Sequence, residues 1–326
     1  MSMLTLVTGA TGLVGNNVVR LLLERGENVR ALARNGTASR ALEGLSVEIA
    51  RGDVRQPETI REACRGVGRV IHAAAEVHIG WKGMDSARAI NVEGTRNVAE
   101  AARATGARLC YVSTVNTLGL GDRRQPADEE TAVCETVPCP YVITKREAER
   151  VVQEQIAAGL DAVIVNPAFM LGPWDWKPSS GRMLLELATG WARLAPPGGN
   201  DFCDVRDVAA GILAAVERGQ RGRRYILGGE AMSFLEAWSM FSEIVGVRPP
   251  WRKALPPGLW LFGHFGDLRG WLTGREPNLN SAAVALSRLE HHYSYARAAA
   301  ELDYRPRPAR EAAETAWQWF KANGYA

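Results

Sequence analysis

In "YVITK", Tyr141 to Lys145, a phenol and an ammonium stand four residues apart. On a helix that spacing puts both side chains on one face. Upstream, "YVSTVNTLG" carries the hydroxyls of Ser113 and Thr114, the latter twenty-seven residues before Tyr141. A hydroxyl, a phenol and an ammonium brought together can hold a carbonyl oxygen and pass it a proton while hydride reaches its carbon. A free phenol, with a pKa of about 10, is a poor base near neutral pH. A nearby ammonium and a positive nicotinamide ring are expected to lower that value. Alone, Tyr-x-x-x-Lys occurs on many surface helices, so its meaning depends on the elements that position it.

Those elements alternate. "LTLVT" (Leu4 to Thr8) reads as a buried strand, followed by a glycine turn and a helix from Leu13 to Arg25 that Gly26 closes. Further strands are expected at Asn28 to Ala33, Val47 to Asp53, Arg69 to Ala74, Arg108 to Thr114 and Asp161 to Pro167. Helices are expected from about Pro57, over Ser86 to Thr105 and over Pro140 to Ala158. This rhythm predicts an α/β fold, a Rossmann-type doubly wound parallel sheet. After Pro167, Pro, Gly and Trp increase and the rhythm breaks, although Arg223 to Gly229 reads as a strand returning to the sheet. The expected division is a dinucleotide-binding domain at 1–167, with 203–228 returning to it. Residues 168–202 and 229–326 form a smaller, mostly helical C-terminal substrate lobe.

"VTGATGLVG" places Gly9, Gly12 and Gly15 between a strand and a helix. Glycines there allow a tight turn and close approach of a pyrophosphate, which the free N–H groups of the helix N-terminus then hold. The second strand ends in Ala33 and Arg34, with Arg40 beyond, where an NAD site would carry a carboxylate for the ribose. An arginine at that point suits a 2′-phosphate, so NADP(H) is the expected cofactor and NAD(H) the alternative.

With this loop spacing, the sequence resembles the short-chain dehydrogenase/reductase superfamily in its extended branch, the NAD-dependent epimerase/dehydratase family. The likeness runs nearly end to end. It implies that Thr114, Tyr141 and Lys145 are catalytic; aligning Gly119 with the family's glycine after this strand selects Thr114 over Ser113. Most relatives carry Ser at this position. The resemblance implies a cofactor cradle of Gly9, Thr11, Gly12, Leu13, Val14 and Gly15, with Arg34 and Arg40 at the adenosine end and Asp53 and Val54 at adenine. It adds Ala73, Ala74, Ala75 and Val112, then Tyr141, Lys145, Pro167, Phe169, Met170 and Ser179 toward the ribose and nicotinamide. Asn91 in "NVEGTRN" is expected to support the active-site helix, and His72 to be a packed strand residue. A homodimer through the Ser86 to Thr105 and Pro140 to Ala158 helices is likewise implied.

"NPAFMLGP", "KPSSGRM" and the tail "ELDYRPRP…AWQWFKANGY" look like bacterial dihydroflavonol-4-reductase-like proteins, including the hopanoid-associated epimerase/reductase group. They imply reduction of a ketone or aldehyde, with Trp174, Trp176, Met183 and Trp191 as candidate pocket residues. A nucleotide-sugar epimerase or dehydratase would use the same site with transient oxidation, and Arg182, Arg193 and Arg206 could hold its diphosphate. A binding protein without turnover would not need the proton donor.

Composition narrows the rest. The 326 residues are 46% hydrophobic and 23% charged, with net charge +3 and no basic run, which argues against nucleic acid as partner. Five irregularly spaced cysteines suit reduced thiols in a cytoplasmic protein, and Cys134 and Cys139 lack the further ligands a metal needs. No signal peptide and no integral membrane segment are expected. The apolar, Trp-rich stretch Gly258 to Leu272 could touch a membrane surface, but Trp and Leu at helical spacing are more often core, and core is the expectation.

Overall fold

The computed structural model describes residues 3–34, 39–133 and 137–326. The strands along the chain are β1 (Leu4–Thr8), β2 (Asn28–Ala33), β3 (Glu48–Arg51), β4 (Arg69–His72), β5 (Arg108–Val112) and β6 (Ala162–Pro167). They continue with β7 (Phe169–Leu171), β8 (Leu194–Ala195), β9 (Gly199–Asp204), β10 (Arg224–Leu227), β11 (Glu230–Ser233), β12 (Arg252–Lys253) and β13 (Glu290–His291). Seven of them form one parallel sheet in the order β10-β6-β5-β4-β1-β2-β3. The order reverses between β1 and β4, and a crevice opens at the carboxyl ends of strands at such a point.

Alternating residues of these strands enter two cores. Val7, Ile71, Cys110 and Val165 face one side with the helices Leu13–Glu24 and Val205–Arg218. Leu6, Val70, Leu109 and Ile164 face the other with Gly94–Thr105 and Pro140–Ala157. Each fully buried Leu or Ile contributes about 1.5–3 kcal/mol, which fixes the register of the strand ends that carry the site.

Three expectations change. The helix predicted over Ser86 to Thr105 begins at Met84 and contains a π-helical turn over Ala89–Glu93. The C-terminal half is less purely helical than expected: β7, β9, β11 and β13 make a second sheet around β9. The sequence of β9, GNDFCD, is rich in residues depleted from strands, so propensity hides it. Finally, Pro256–Thr273 is a helix, but its Trp and Phe side chains and Leu261, Leu268 and Leu272 are exposed rather than core.

Candidate active site

Gly9 turns the chain at φ 72°, and a Cβ there would lie 2.6 Å from the Ala73 carbonyl carbon. A Cβ at Gly15 would lie 2.2 Å from the Gly9 carbonyl oxygen, so loop and helix touch by backbone alone. Gly12 differs, because the nearest atom to its added Cβ is the Gly9 oxygen at 3.4 Å. Its small size serves open space beside the loop rather than packing. Gly12 also caps the helix Leu13–Glu24, with no side-chain cap and no acidic residue in the first turn. The uncapped N–H groups and the space over Gly12 fit a pyrophosphate.

Asp53 ends the third strand region, where Arg55 grips its carboxylate at 2.7 Å and holds its pKa below the usual carboxylate range. Arg34 is close enough to add to that effect. The Arg40 guanidinium lies 5.1 Å from the Trp176 ring. Val54 is buried against Gly94 and accepts a bond from the Asn97 amide at 2.9 Å. Ala73 donates its N–H to the Thr8 carbonyl at 3.2 Å, and Ala74 donates to the Thr8 hydroxyl at 3.3 Å. On the lobe side, Phe169 packs on Phe202 at 5.1 Å, Met170 accepts from Ser180 through its carbonyl, and Ser179 donates its N–H to Asp175 at 3.1 Å. Trp174 packs at a tilt and Trp176 edge-on against Trp319, whereas Trp191 is exposed.

Thr114 and Tyr141 are brought together: the Thr114 side chain is near enough to the phenol to act on its ionisation. Thr114 sits just past β5 and Tyr141 in the first turn of the helix Pro140–Ala157. Ser113 is buried beside Thr114, and its hydroxyl has no hydrogen-bond partner among the described residues. Lys145, one turn along, is buried and donates to the Val112 carbonyl at 2.8 Å, over the Tyr111 ring at 4.4 Å. The expected lowering of the phenol does not hold in this state. Burial pushes Tyr141 up to about 12, and the neighbouring Thr114 side chain only partly offsets it. Burial in turn pushes Lys145 down to about 7.

Behind these residues runs a directed chain of hydrogen bonds. The Thr95 hydroxyl bonds the Asn91 carbonyl at 2.6 Å, so it receives the His72 Nε2–H at 3.0 Å. His72 Nδ1 then accepts from the Thr8 hydroxyl at 2.6 Å. Burial lowers His72 to about 3 and keeps the ring neutral, which suits one donor and one acceptor. The Asn91 amide, on the π turn, donates to the Thr144 hydroxyl at 2.9 Å. The chain thus ties β1 to the Pro140–Ala157 helix, with Asn91 supporting that helix and His72 packed inside the chain.

Sequence reasoning missed the group beneath Lys145. Buried Glu149 accepts from the Thr117 hydroxyl at 2.7 Å and from the Asn166 amide at 2.8 Å, and Arg224 approaches at 3.3 Å. The same Asn166 amide reaches the Thr114 carbonyl at 3.0 Å. The signal was present, since Tyr141, Lys145 and Glu149 follow one another at steps of four on one helix face.

The doubly wound sheet with its glycine loop, and Thr114, Tyr141 and Lys145 beyond β5, is the arrangement of an extended short-chain dehydrogenase/reductase fold. The sequence profile of the NAD dependent epimerase/dehydratase family matches residues 5–228, and the chain belongs to that family. It is similar to the sterol demethylase protein B of Methylococcus capsulatus (strain ATCC 33009 / NCIMB 11132 / Bath), 37% identical over 99% of each chain. It is also similar to a protein of Synechocystis sp. (strain ATCC 27184 / PCC 6803 / Kazusa) named putative dihydroflavonol 4-reductase, 34% identical over 98% of this chain and 95% of that one. The crystal structure of gox2253 superposes with a TM-score of 0.86 at 38% identity, over 99% of both chains.

Proposed function

We propose that the protein is an NADPH-dependent reductase that converts a ketone or aldehyde to an alcohol. The observation that carries this reading is the placement of Thr114 just past β5 beside Tyr141 and the buried Lys145, which lie on one face of the Pro140–Ala157 helix, with Lys145 donating to the Val112 carbonyl. Reduction requires a group that holds a proton at neutral pH and releases it to an alkoxide. The bound nicotinamide supplies the hydride. Tyr141 gives its proton to the carbonyl oxygen, Thr114 orients that oxygen, and Lys145 lies on the same helix face to assist the phenol and hold the ribose. The relative named for dihydroflavonol 4-reductase supports the same direction.

Arg34, following Ala33, supports NADPH over NADH, since no carboxylate stands at that strand end to repel a 2′-phosphate. Free buried thiols at Cys64, Cys110, Cys139 and Cys203 fit a reducing compartment, the cytoplasm in this reading; Cys134 lies outside the described residues. The helices around Gly94–Thr105 and Pro140–Ala157 are proposed to form the homodimer contact. For a sugar diphosphate, Arg206 is already committed: it grips Asp204 at 2.6 Å and reaches Glu311 at 3.3 Å.

Steady loss of NADPH absorbance with a panel of aromatic ketones and aldehydes tests the reading. Interconversion of UDP- or dTDP-sugars without net cofactor use would sink it. Tyr141→Phe is expected to lower kcat about 10²–10⁴-fold while NADPH still binds. Arg34→Ala is expected to weaken NADPH about tenfold or more with little effect on NADH.

A further inference from the structure

The helix Pro256–Thr273 is built inside out. Gly263, Gly266 and Gly270 face the protein; an added Cβ at Gly266 would lie 1.9 Å from the Leu279 carbonyl oxygen, and one at Gly263 2.9 Å from Ser281 Cα. The backbone therefore lies flat on residues 277–281 and cannot roll. On the opposite face stand Trp260, Leu261, Phe265, Leu268, Trp271 and Leu272, with Trp260 58%, Phe265 65% and Trp271 74% exposed. A contiguous apolar face of this kind marks a docking surface.

Its charge says for what. Residues 246–275 carry Arg248, Arg252, Lys253, Arg269 and Arg275 against one acid, Asp267. Asp267 is engaged by the Ser281 N–H at 3.1 Å and by His264 at 3.4 Å. Trp251 adds a further exposed indole, with Arg252 over its ring at 4.1 Å. Trp, Phe and Leu on one face with an Arg/Lys rim is the composition of a helix that lies in the surface of an anionic bilayer. Two copies of this face brought together would instead juxtapose their basic rims, with one Asp each to offset them.

We propose that Pro256–Thr273, with Trp251 to Lys253, docks the enzyme on an anionic phospholipid surface. The face stands one layer from the chemistry. The segment beneath the glycines continues into Ala282, which packs in the apolar cluster that includes Ile79, Val142 and Tyr141. Trp81 pins the same segment through its indole N–H on Ser281 at 2.7 Å. Resting on the reductase reading, docking there also names the substrate class: a carbonyl compound apolar enough to partition into the bilayer.

Vesicle flotation decides the docking without reference to turnover. The protein should float with phosphatidylcholine/phosphatidylglycerol vesicles and far less with phosphatidylcholine alone. Combining Trp260→Ser, Phe265→Ser and Trp271→Ser should leave it in the soluble fraction, and Arg252→Glu with Lys253→Glu should lower partitioning at least about tenfold. Wild-type protein that stays soluble with the anionic vesicles overturns the proposal. So does a triple variant that floats unchanged, or a wild-type dimer in vesicle-free buffer that the triple variant splits. For the substrate class, the triple variant should lose about tenfold or more in NADPH oxidation on a long-chain ketone held in those vesicles, yet keep its rate on a water-soluble aromatic ketone. Equal rates of wild type and variant on the vesicle-held ketone refute that class. If wild type reduces neither ketone, the reductase reading falls while flotation still decides the docking.

Discussion

Lys145 stands between two opposed effects. Removal from water favours its neutral form and carries it down to about 7, while the Glu149 carboxylate one turn further along favours the ammonium. The Thr117 hydroxyl and the Asn166 amide hold that carboxylate, and Asn166 also reaches the backbone of Thr114. On the proposed mechanism, Glu149 is a positioning residue that works through Lys145 and the Thr114 loop. Glu149→Gln keeps the shape and removes the charge, so less opposes desolvation of the ammonium. The high-pH limb of kcat/KM, which reports the free enzyme, should move down by about one pH unit. A purely structural role would lower the amplitude of the profile and leave that limb in place.

At the scale of elements, the glycine loop separates two functions by position. Gly9 has a left-handed φ of 72° and no room for a Cβ, so Gly9→Ala should cost the fold about 1–3 kcal/mol or more. Gly12, at φ −92°, meets nothing closer than 3.4 Å. Gly12→Ala should therefore leave the melting temperature of the cofactor-free protein unchanged and weaken NADPH about tenfold or more in a fluorescence titration. A matched loss of stability in both variants would refute the distinction. Loop, parallel strands and the Thr114–Tyr141–Lys145 set were legible because each rests on local periodicity or fixed spacing. What was not legible depends on tertiary context. β9 forms despite poor propensity because its neighbours pair with it. Glu149 draws its meaning from Asn166 and Arg224, which arrive from other strands. The Pro256–Thr273 helix has the composition of core, and only the packing of its glycines shows that the bulky face turns outward.

For the molecule as a whole, buried titratable groups in both halves set how stability follows pH. His72 in the sheet and His291 in the lobe are held neutral by burial, at about 3 and about 4 against an ordinary 6.5. Between those values the unfolded chain binds protons that the folded chain refuses, so stability falls as pH drops below 6.5. That loss begins above the range of carboxylates such as Glu236, which Arg123 and Ser233 hold at about 2 and which adds its own loss only nearer pH 4. Lys145, lowered to about 7, has the same sign further up: its buried charge disfavours folding at neutral pH, and the penalty eases as pH rises. On the alkaline side the sign reverses. Burial raises Cys64 to about 11 and Cys110 to about 12 from 9.0, so above pH 9 the unfolded chain loses protons that the folded chain retains. Tyr141, raised to about 12 from 10.0, follows. The melting temperature of the cofactor-free protein is therefore expected to rise from pH 5 through neutrality, peak between pH 7 and 9, and then fall. Thermal denaturation across that range checks it, and a maximum at or below pH 6 would show that the two histidines are not held neutral in the folded state.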